Sequence, residues 1–248
     1  MMIEARYKHD PVLEQYLLEL GQGDMSNLEH VFQSAFREDT EGKFLYENPY
    51  QQIPKTQAAS IQSLIRVANV RNVLEIGTFV GFSSFSMAQA IKFNDGRVTS
   101  LEIEESHHKQ AVENLASHKA RYNSEKITSK LEYVLADAKE YMLQRNMMEK
   151  AKDIDLFFLD GDKCNYGFYY EWAVEHLRSG GLFVVDNALF YEAVYTDPTN
   201  MYASAIKEMT SRFKKEDKFD FRLEIVSVGN RDKINNPGVE CMIVATKK

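Results

Sequence analysis

Two apolar runs in the second half of the chain each end at an acidic residue. Residues 154–159 are followed by Asp160. Residues 182–185 are followed by Asp186 and Asn187. If both runs are neighbouring parallel strands, these side chains meet beyond the carboxyl ends of the strands, where open α/β sheets bind ligands. Two carboxylates and an amide, without histidine or cysteine, suit a hard cation: Mg²⁺, or Mn²⁺ or Ca²⁺ in its place. The alternative is that these are ordinary turn residues, which Asp and Asn often are after strands.

Lys163 lies three positions after Asp160 and is the candidate base of this cluster. A lysine beside a bound cation releases its proton more readily and can then act as a general base. Its alternative role is an ion pair with Asp160 or Asp162. Cys164 is adjacent, but no histidine is close to it in sequence, so we assign it no catalytic role.

A glycine turn follows the apolar run at residues 73–76. Gly77 and Gly81 allow the backbone to approach a ligand without a Cβ clash. The start of the next helix offers free N–H groups for a carboxylate or phosphate, and Ser83 adds a hydroxyl. The G-x-x-x-G spacing differs from the G-x-G-x-x-G spacing of dinucleotide-binding folds. The alternative is a tight turn that only packs a helix on a strand.

Polar residues also follow the next two strand-like runs. Glu102 stands at the end of the second run, where a carboxylate can accept hydrogen bonds from both hydroxyls of a ribose. Glu104 and Glu105 are interpreted as solvated charges at a helix start. At the end of the third run, the Asp137 side chain and the Ala138 N–H are placed to face an adenine edge.

The elements that must position these residues alternate regularly along the chain. Short apolar runs predict strands, and longer segments with helical spacing predict the helices between them. The predicted strands are residues 73–76, 98–103, 131–135, 154–159, 182–185, 222–228 and 239–246. The predicted helices are residues 12–20, 57–67, 83–93, 107–118, 138–147 and 166–177. This order predicts an α/β domain with a mostly parallel sheet, helices on both faces and one antiparallel strand in the last hairpin. Residues 1–55 form the predicted N-terminal helical extension, and residues 56–248 form the domain.

Composition narrows the class of protein. The chain has 248 residues, with 30 Lys and Arg against 37 Asp and Glu, so its net charge is −7. An acidic excess makes nucleic acid an unexpected partner, since proteins that grip phosphates usually carry a basic excess. The two cysteines, Cys164 and Cys241, form no disulfide or zinc pattern. No signal-like or membrane-spanning apolar segment is present, so we expect a cytoplasmic protein with no membrane partner.

The motifs together resemble the metal-dependent O-methyltransferases that use S-adenosylmethionine, the family of catechol and caffeoyl-CoA O-methyltransferases and their bacterial relatives. The matching stretches occur in order between residues 56 and 248. They read VLEIGTFVGFSS, VTSLEIEE, LADA, IDLFFLDGDKCNYGFYYEW and GGLFVVDNALF.

This resemblance implies a fold, an activity and a set of roles. The fold would be a Rossmann-like, seven-stranded, mostly parallel sheet with one antiparallel strand, usually in a homodimer. The activity would be methyl transfer from S-adenosylmethionine to a hydroxyl of a small vicinal dihydroxy aromatic substrate. The implied cofactor residues are Gly77, Phe79 and Ser83 at the methionine end, Glu102 at the ribose, Asp137 and Ala138 at the adenine, and Asp160 near the amino group. The implied metal ligands are Asp160, Asp186 and Asn187, and the implied base is Lys163.

The chain departs from the family pattern at three places. Residues 58–59 are Ala-Ala where the family usually has Gly-Gln, Glu192 stands where many members have glycine, and residues 230–237 lengthen the last hairpin. These changes leave the substrate open. Two other functions also stay open: a metal-independent small-molecule methyltransferase, and a cofactor-binding dimer protein without turnover.

Further side chains have two interpretations each. Tyr166 lines a pocket or belongs to the core, and Phe190, Tyr191 and Tyr195 stack on a substrate ring or only pack the lid. A basic cluster contacts a coenzyme A thioester or, as we favour, forms a solvated helix face. Its members are Arg212, Lys214, Lys215 and Lys218.

Overall fold

The computed structural model describes residues 25–46, 51–144, 154–228 and 239–248. The strands are β1 Asn72–Ile76, β2 Arg97–Glu102, β3 Leu131–Leu135, β4 Leu156–Leu159, β5 Leu182–Val185, β6 Phe219–Val228 and β7 Val239–Lys247. They form one seven-stranded sheet in the order β3-β2-β1-β4-β5-β7-β6.

Nine α-helices and two 3₁₀ turns lie within these described ranges. The helices are α1 Glu29–Ser34, α2 Lys55–Val67, α3 Phe82–Ala90, α4 Glu105–Tyr122, α5 Glu125–Thr128, α6 Ala138–Leu143, α7 Tyr166–His176, α8 Ala193–Thr196 and α9 Met201–Lys215. The 3₁₀ turns are Ser26–Leu28 and Lys163–Asn165. None of the helices in the described residues has the length and apolar character needed to cross a membrane.

Strand pairing confirms the predicted fold class. β2 pairs in parallel with β3, and β4 pairs in parallel with both β1 and β5. β7 pairs antiparallel with both β5 and β6, so it is the strand of opposite direction. The Rossmann-like, mostly parallel sheet with an antiparallel strand in the last hairpin is therefore present.

The central strands β4 and β5 consist of apolar residues, so they are buried in the interior of the sheet. Every residue of β4 and β5 is buried, as expected for parallel strands covered on both faces. Phe157 of β4 and Phe183 of β5 stack with ring centroids 5.2 Å apart. These two strands carry Asp160 and Asp186 directly after their last residues, so a rigid, buried scaffold fixes the position of both acids.

The contacts within the chain define two compact units. One unit contains residues 72–77 and 137–248, and it holds β1, β4 to β7 and α6 to α9. The other contains the described residues of 25–71 and 78–136, and it holds α1 to α5 with β2 and β3. Inside the second unit, the fully buried Gln62 of α2 donates to the Ser86 carbonyl of α3 at 3.0 Å. The proposed division into residues 1–55 and 56–248 stays a prediction.

Several predicted boundaries were wrong. The helix predicted for residues 83–93 ends at Ala90, because Ile91 has extended backbone angles. The helix predicted for residues 138–147 ends at Leu143, since Gln144 is extended. Helix α9 was expected only at its basic end, as a helix face, and its bounds were not predicted, although Asn200 caps it by accepting the Ala203 N–H at 3.0 Å. The predicted helix at residues 12–20 and the connector at residues 229–238 lie outside the described residues.

Candidate active site

The turn after β1 is built on left-handed backbone conformations. The φ angles are 96° at Gly77, 49° at Phe79 and 89° at Gly81. A Cβ atom on Gly77 would lie 2.6 Å from the Asp160 carbonyl oxygen, so this close approach requires glycine. Gly81 precedes α3, and Ser83 lies in the first turn of that helix with 9% exposure. The close approach that the structure shows at Gly77 is to the end of β4, and approach of this turn to a ligand stays a prediction.

Glu102 holds the glycine turn through its carboxylate. Its Oε2 accepts the Phe79 N–H at 2.7 Å. Its Oε1 accepts the N–H groups of Ile103 and Glu104, each at 3.0 Å. The side chain is buried at the carboxyl end of β2, as predicted. The residue predicted to bind a ribose therefore also fixes the backbone of the turn.

His107 is a neighbour of Glu102 that the sequence analysis missed. Its Nδ1 lies 3.7 Å from Glu102 Oε1, and its ring packs edge-on against Phe79 with centroids 4.8 Å apart. Burial raises the pKa of Glu102, but hydrogen bonds from His107 and from the backbone N–H groups of Glu104 and Phe79 outweigh it, so the pKa is lowered. Glu102 is therefore ionised at neutral pH. The signal was a histidine five positions after Glu102, in the first turn of the helix that follows β2.

Asp160 and Asp186 follow directly paired residues of adjacent strands. Leu159 and Val185 are partners in the parallel β4–β5 ladder, and the Asp186 N–H donates to the Leu159 carbonyl at 2.9 Å. The Asp160 side chain is 14% exposed and Asp186 is 4% exposed. The structure therefore brings together the two acids that the strand pattern predicted to meet.

The charges around Asp160 disfavour its ionised form. Burial is the largest cause that raises the pKa of Asp160 well above its usual range, and repulsion from Asp186 adds to it. The buried Glu75 raises this pKa further, and Lys163 opposes the increase. The cluster thus holds more negative charge than its lysine balances, which is the electrostatic setting of a cation site.

Lys163 lies within this acidic cluster. Its Nζ is 3.6 Å from Asp160 Oδ1 and 5.7 Å from the centroid of the Tyr166 ring. Asp162, the other predicted ion-pair partner, accepts the Tyr169 hydroxyl at 2.6 Å. The lysine therefore forms its ion pair with Asp160, and its role as a base stays a prediction.

Asn187 follows Asp186 in a left-handed conformation, with φ of 54°, and is half-buried. Its carbonyl accepts the Phe190 N–H at 3.0 Å. Within the described ranges, no three His, Cys, Asp or Glu side chains gather into a metal-binding group. The predicted donor set contains two carboxylates and one amide, so it does not require such a group. The structure supports the predicted metal site in one respect: Asp160, Asp186 and Asn187 follow the adjacent strands β4 and β5.

Asp137 and Ala138 lie at the start of α6. Asp137 Oδ1 accepts the Glu140 N–H at 2.8 Å and so caps this helix, and Ala138 is buried at 8% exposure. The cap is a structural function that the sequence analysis did not assign to Asp137. Contact of either residue with an adenine ring stays a prediction.

The contacts of Tyr166 and Arg212 favour one of the two interpretations of each residue. Tyr166 is fully buried, and its hydroxyl donates to the Asp186 carbonyl at 3.4 Å, so it belongs to the core beneath the acidic cluster. Arg212 pairs with Glu171 at 2.6 Å and with Glu216, which supports the solvated helix face over a thioester contact.

Two buried acids near the cluster were also missed. Glu75 is fully buried in β1 and acts on Asp160, and Glu240 of β7 is 3% exposed. Each interrupts an apolar run in the sequence, and this was the available signal.

Comparison with known proteins identifies the family. A family model described as O-methyltransferase matches residues 23–236, so the chain belongs to the O-methyltransferase family. A caffeoyl-CoA O-methyltransferase from Populus kitakamiensis is 25% identical over 187 residues, covering 72% of this chain and 74% of the relative. A catechol O-methyltransferase from Niastella koreensis is 31% identical over 137 residues, covering 55% of this chain and 58% of the relative.

A solved structure supports the fold. The crystal structure of an O-methyltransferase from Bacillus cereus in complex with SAH superposes with a TM-score of 0.76 at 24% identity, covering 100% of both chains. The sequence-based prediction of an O-methyltransferase with this fold is therefore confirmed.

Proposed function

We propose that this enzyme transfers a methyl group from S-adenosylmethionine to one hydroxyl of a vicinal dihydroxy aromatic substrate, with a divalent cation bound by Asp160, Asp186 and Asn187. The observation that carries the proposal is the pair of acids on adjacent strand ends, of which Asp186 is buried and Asp160 is 14% exposed, with Lys163 at 3.6 Å from Asp160. The family and its catechol and caffeoyl-CoA relatives support the donor and the substrate class.

The residues present fit a divalent cation. Asp160 and Asp186 repel each other in a buried setting, and the buried Glu75 adds to the negative charge. Carboxylate and amide oxygens are the ligands that Mg²⁺ prefers, with Mn²⁺ or Ca²⁺ as substitutes. When bound, the cation supplies Lewis-acid polarisation of the substrate hydroxyls.

The residues for S-adenosylmethionine divide by the chemistry of its parts. We assign the ribose hydroxyls to Glu102, which is ionised and keeps lone pairs beyond its backbone hydrogen bonds. The methionine end is assigned to Gly77, Phe79 and Ser83, and its amino group to Asp160. The adenine edge is assigned to Asp137 and Ala138. When bound, this donor supplies the electrophilic methyl group.

Lys163 is the proposed general base. Its Nζ takes the proton from the attacking hydroxyl, and the oxygen forms the new bond to the methyl carbon as the carbon–sulfur bond breaks. Asp160 holds the ammonium that results, because its carboxylate lies 3.6 Å from Nζ. The rigid β4 and β5 ends align the reacting groups, and such positioning supplies much of the acceleration of a two-reactant step.

We also propose that the chain forms a homodimer, as the resemblance implies. The exposed side chains of Phe221, Leu223 and Ile225 alternate along β6, at the edge of the sheet, and support this proposal. Light scattering after size exclusion measures the mass directly. A mass near that of one chain at micromolar concentration would contradict the dimer.

A substrate pair tests the proposed reaction. Catechol and its monomethyl ether share the ring, but only catechol offers two free hydroxyls to a cation. We expect Mg²⁺-dependent methylation of catechol, loss of activity after verified metal removal by EDTA, and little methylation of the ether. Equal metal-free rates on both compounds would instead support a metal-independent methyltransferase. Binding of S-adenosylmethionine in calorimetry without methylation of either compound would instead support the cofactor-binding dimer protein without turnover.

The same assay defines the substrate class. Free catechols, phenolic acids and acyl-CoA esters are compared at equal Mg²⁺. Because Arg212 is engaged with Glu171 and Glu216, we expect free catechols or phenolic acids to be methylated with higher kcat/KM than the thioesters. A preference for thioesters would contradict this expectation.

A further inference from the structure

The segment after β5 has an unusual backbone. Four of its non-glycine residues adopt left-handed conformations, with φ of 54° at Asn187, 45° at Phe190, 53° at Tyr191 and 70° at Glu192. Residues with a Cβ atom avoid this region, and three in succession persist only when surrounding contacts fix them. The segment carries one proposed metal ligand and two aromatic side chains, so the groups that fix its path also control the site.

Glu240 supplies the main contact to this segment. It lies near the start of β7 and is 3% exposed. Its Oε1 accepts the N–H groups of Leu189 and Cys241, both at 2.9 Å, and its Oε2 accepts the Tyr191 N–H at 2.7 Å. A single buried carboxylate thus binds alternate N–H groups of the segment. Such a charge is costly to bury unless its hydrogen bonds are made, so it favours the one loop path that makes them.

Glu192 makes the reciprocal contact from the segment to β7. Its side chain is buried, and its Oε1 accepts the Val239 N–H at 3.3 Å. The Ala188 N–H donates to the Cys241 carbonyl at 2.8 Å in the same region. Each side therefore contributes one buried carboxylate to the backbone of the other. We call this arrangement the carboxylate clasp. It consists of the carboxylates of Glu192 and Glu240 and the four N–H groups that donate to them, those of Leu189, Tyr191, Val239 and Cys241.

The conformation of Glu192 argues that its side chain is needed. At φ of 70°, glycine would adopt the same backbone without strain, whereas glutamate pays for it. A glutamate whose side chain made no stabilising contact would therefore make the fold less stable than a glycine at this position would. The hydrogen bond to Val239 is the benefit that the geometry offers.

We propose that Glu240 and Glu192 are positioning residues for the reaction: the carboxylate clasp fixes the backbone of residues 187–192 and thereby sets the Asn187 amide for the cation and the Phe190 and Tyr191 rings for the aromatic substrate. This inference rests on the proposed function. It assigns an effect on metal affinity and substrate affinity to two acids that are not among the proposed metal ligands or substrate contacts.

Three variants separate positioning from general stability. Glu240→Gln keeps the shape of the side chain but replaces one acceptor oxygen with an N–H donor that faces another donor. Glu192→Gly removes the bond to Val239 and relieves the backbone at the same time. Asp155→Asn is the matched control, since Asp155 accepts the Asn72 N–H at 2.9 Å and the Arg178 Nε–H at 2.6 Å at the amino ends of the strands.

The readouts are Mn²⁺ affinity by electron paramagnetic resonance, hydrogen exchange of the metal-free protein at amides 189, 191 and 239, and KM and kcat for catechol. We expect Glu240→Gln to weaken Mn²⁺ binding about tenfold, since residues behind metal ligands typically contribute this much. Amides 189 and 191 should exchange faster, and the KM for catechol should rise. Glu192→Gly should raise the KM for catechol and speed exchange at amide 239 without lowering the melting temperature.

The control and the wild type make the outcomes distinct. Asp155→Asn should lower the melting temperature and leave Mn²⁺ affinity and KM unchanged. If Glu240→Gln and Glu192→Gly keep wild-type Mn²⁺ affinity and KM, the positioning role is refuted, whatever their stability. If the wild type itself binds no Mn²⁺ and methylates no catechol, the proposed function fails and the positioning role fails with it.

Discussion

Replacing Asp160 with asparagine should stabilise the metal-free protein while removing metal binding. In the absence of a cation, burial and the neighbouring Asp186 raise the pKa of Asp160, so the folded protein bears a cost for this carboxyl group. Asparagine keeps the shape but carries no charge. The result is a trade between stability and function that is typical of sites built to bind a ligand.

The size of the effect follows from the distances. If the spacing of adjacent strands, about 4.8 Å, is taken as the separation of the two carboxylates, their repulsion at an effective dielectric constant of about 20 is on the order of 4 kcal/mol. Lys163 lies 3.6 Å from Asp160, and on the same scale its attraction is also on the order of 4 kcal/mol. Because the repulsion from Asp186 and the attraction to Lys163 nearly cancel, the cost of burying the charge decides whether ionised Asp160 stabilises or destabilises the fold. This cost is several kcal/mol for an ion, so ionised Asp160 destabilises the metal-free protein. The asparagine amide has a smaller burial cost of its own, which is subtracted from the gain. We therefore expect Asp160→Asn to stabilise the metal-free protein by about 2 kcal/mol, or about 4–8 °C in melting temperature.

The effect should depend on pH in a defined direction. A raised pKa in the folded state means that the cost of Asp160 is absent below the unfolded-state pKa of about 3.9 and grows as the pH rises towards the folded-state pKa. The advantage of Asp160→Asn should therefore be below about 1 kcal/mol at pH 4.5 and about 2 kcal/mol at pH 8.

Urea unfolding in EDTA at the two pH values measures this difference. Asp155→Asn serves as the contrast, because Asp155 pairs with Arg178 at 2.6 Å and its loss should destabilise the protein. Added Mg²⁺ should stabilise the wild type and leave Asp160→Asn unchanged. The reasoning is refuted if Asp160→Asn is less stable than the wild type at pH 8 without metal, or if its advantage is equal at both pH values.

Three further substitutions test the other parts of the site. Lys163→Ala should lower kcat by about 10²–10⁴, the usual contribution of a general base, without changing the dissociation constant of S-adenosylmethionine; unchanged kcat would exclude Lys163 as the base. Glu102→Gln should weaken calorimetric binding of S-adenosylmethionine by about ten- to a hundredfold, since one charged hydrogen bond contributes about 1.5–3 kcal/mol; unchanged affinity would contradict the ribose contact. Gly77→Ala should unfold at a lower temperature than the wild type, because its Cβ would lie 2.6 Å from the Asp160 carbonyl oxygen. Gly167→Ala is the control and should keep the wild-type melting temperature, since its Cβ meets no described atom within 4 Å. Equal melting temperatures of the two variants would show that the turn tolerates a side chain.

The sequence was sufficient wherever a local pattern determined the structure. The strands at 131–135 and 182–185 were predicted with their observed bounds, since short apolar runs between polar turns have few other conformations. The meeting of Asp160 and Asp186 followed from the same patterns, because parallel neighbours place their carboxyl ends together.

The sequence was insufficient where residues distant in the chain contact each other through register. Glu240 holds Leu189 and Tyr191 only because β7 pairs antiparallel with β5, with Val185 opposite Ile243. A shift of one residue would turn the Glu240 side chain to the other face of the sheet. The contact of His107 with Glu102 depends similarly on how α4 starts, which propensity defines poorly.

The number of Mn²⁺ ions that each chain binds, in the wild type and in the double variant Asp160→Asn, Asp186→Asn, tests the proposed metal site most directly. We expect one ion per wild-type chain, with methylation of catechol following its occupancy, and no tightly bound ion in the double variant. Binding of Mn²⁺ by the double variant with wild-type affinity, or full methylation by the wild type without any bound ion, would contradict the proposed metal site.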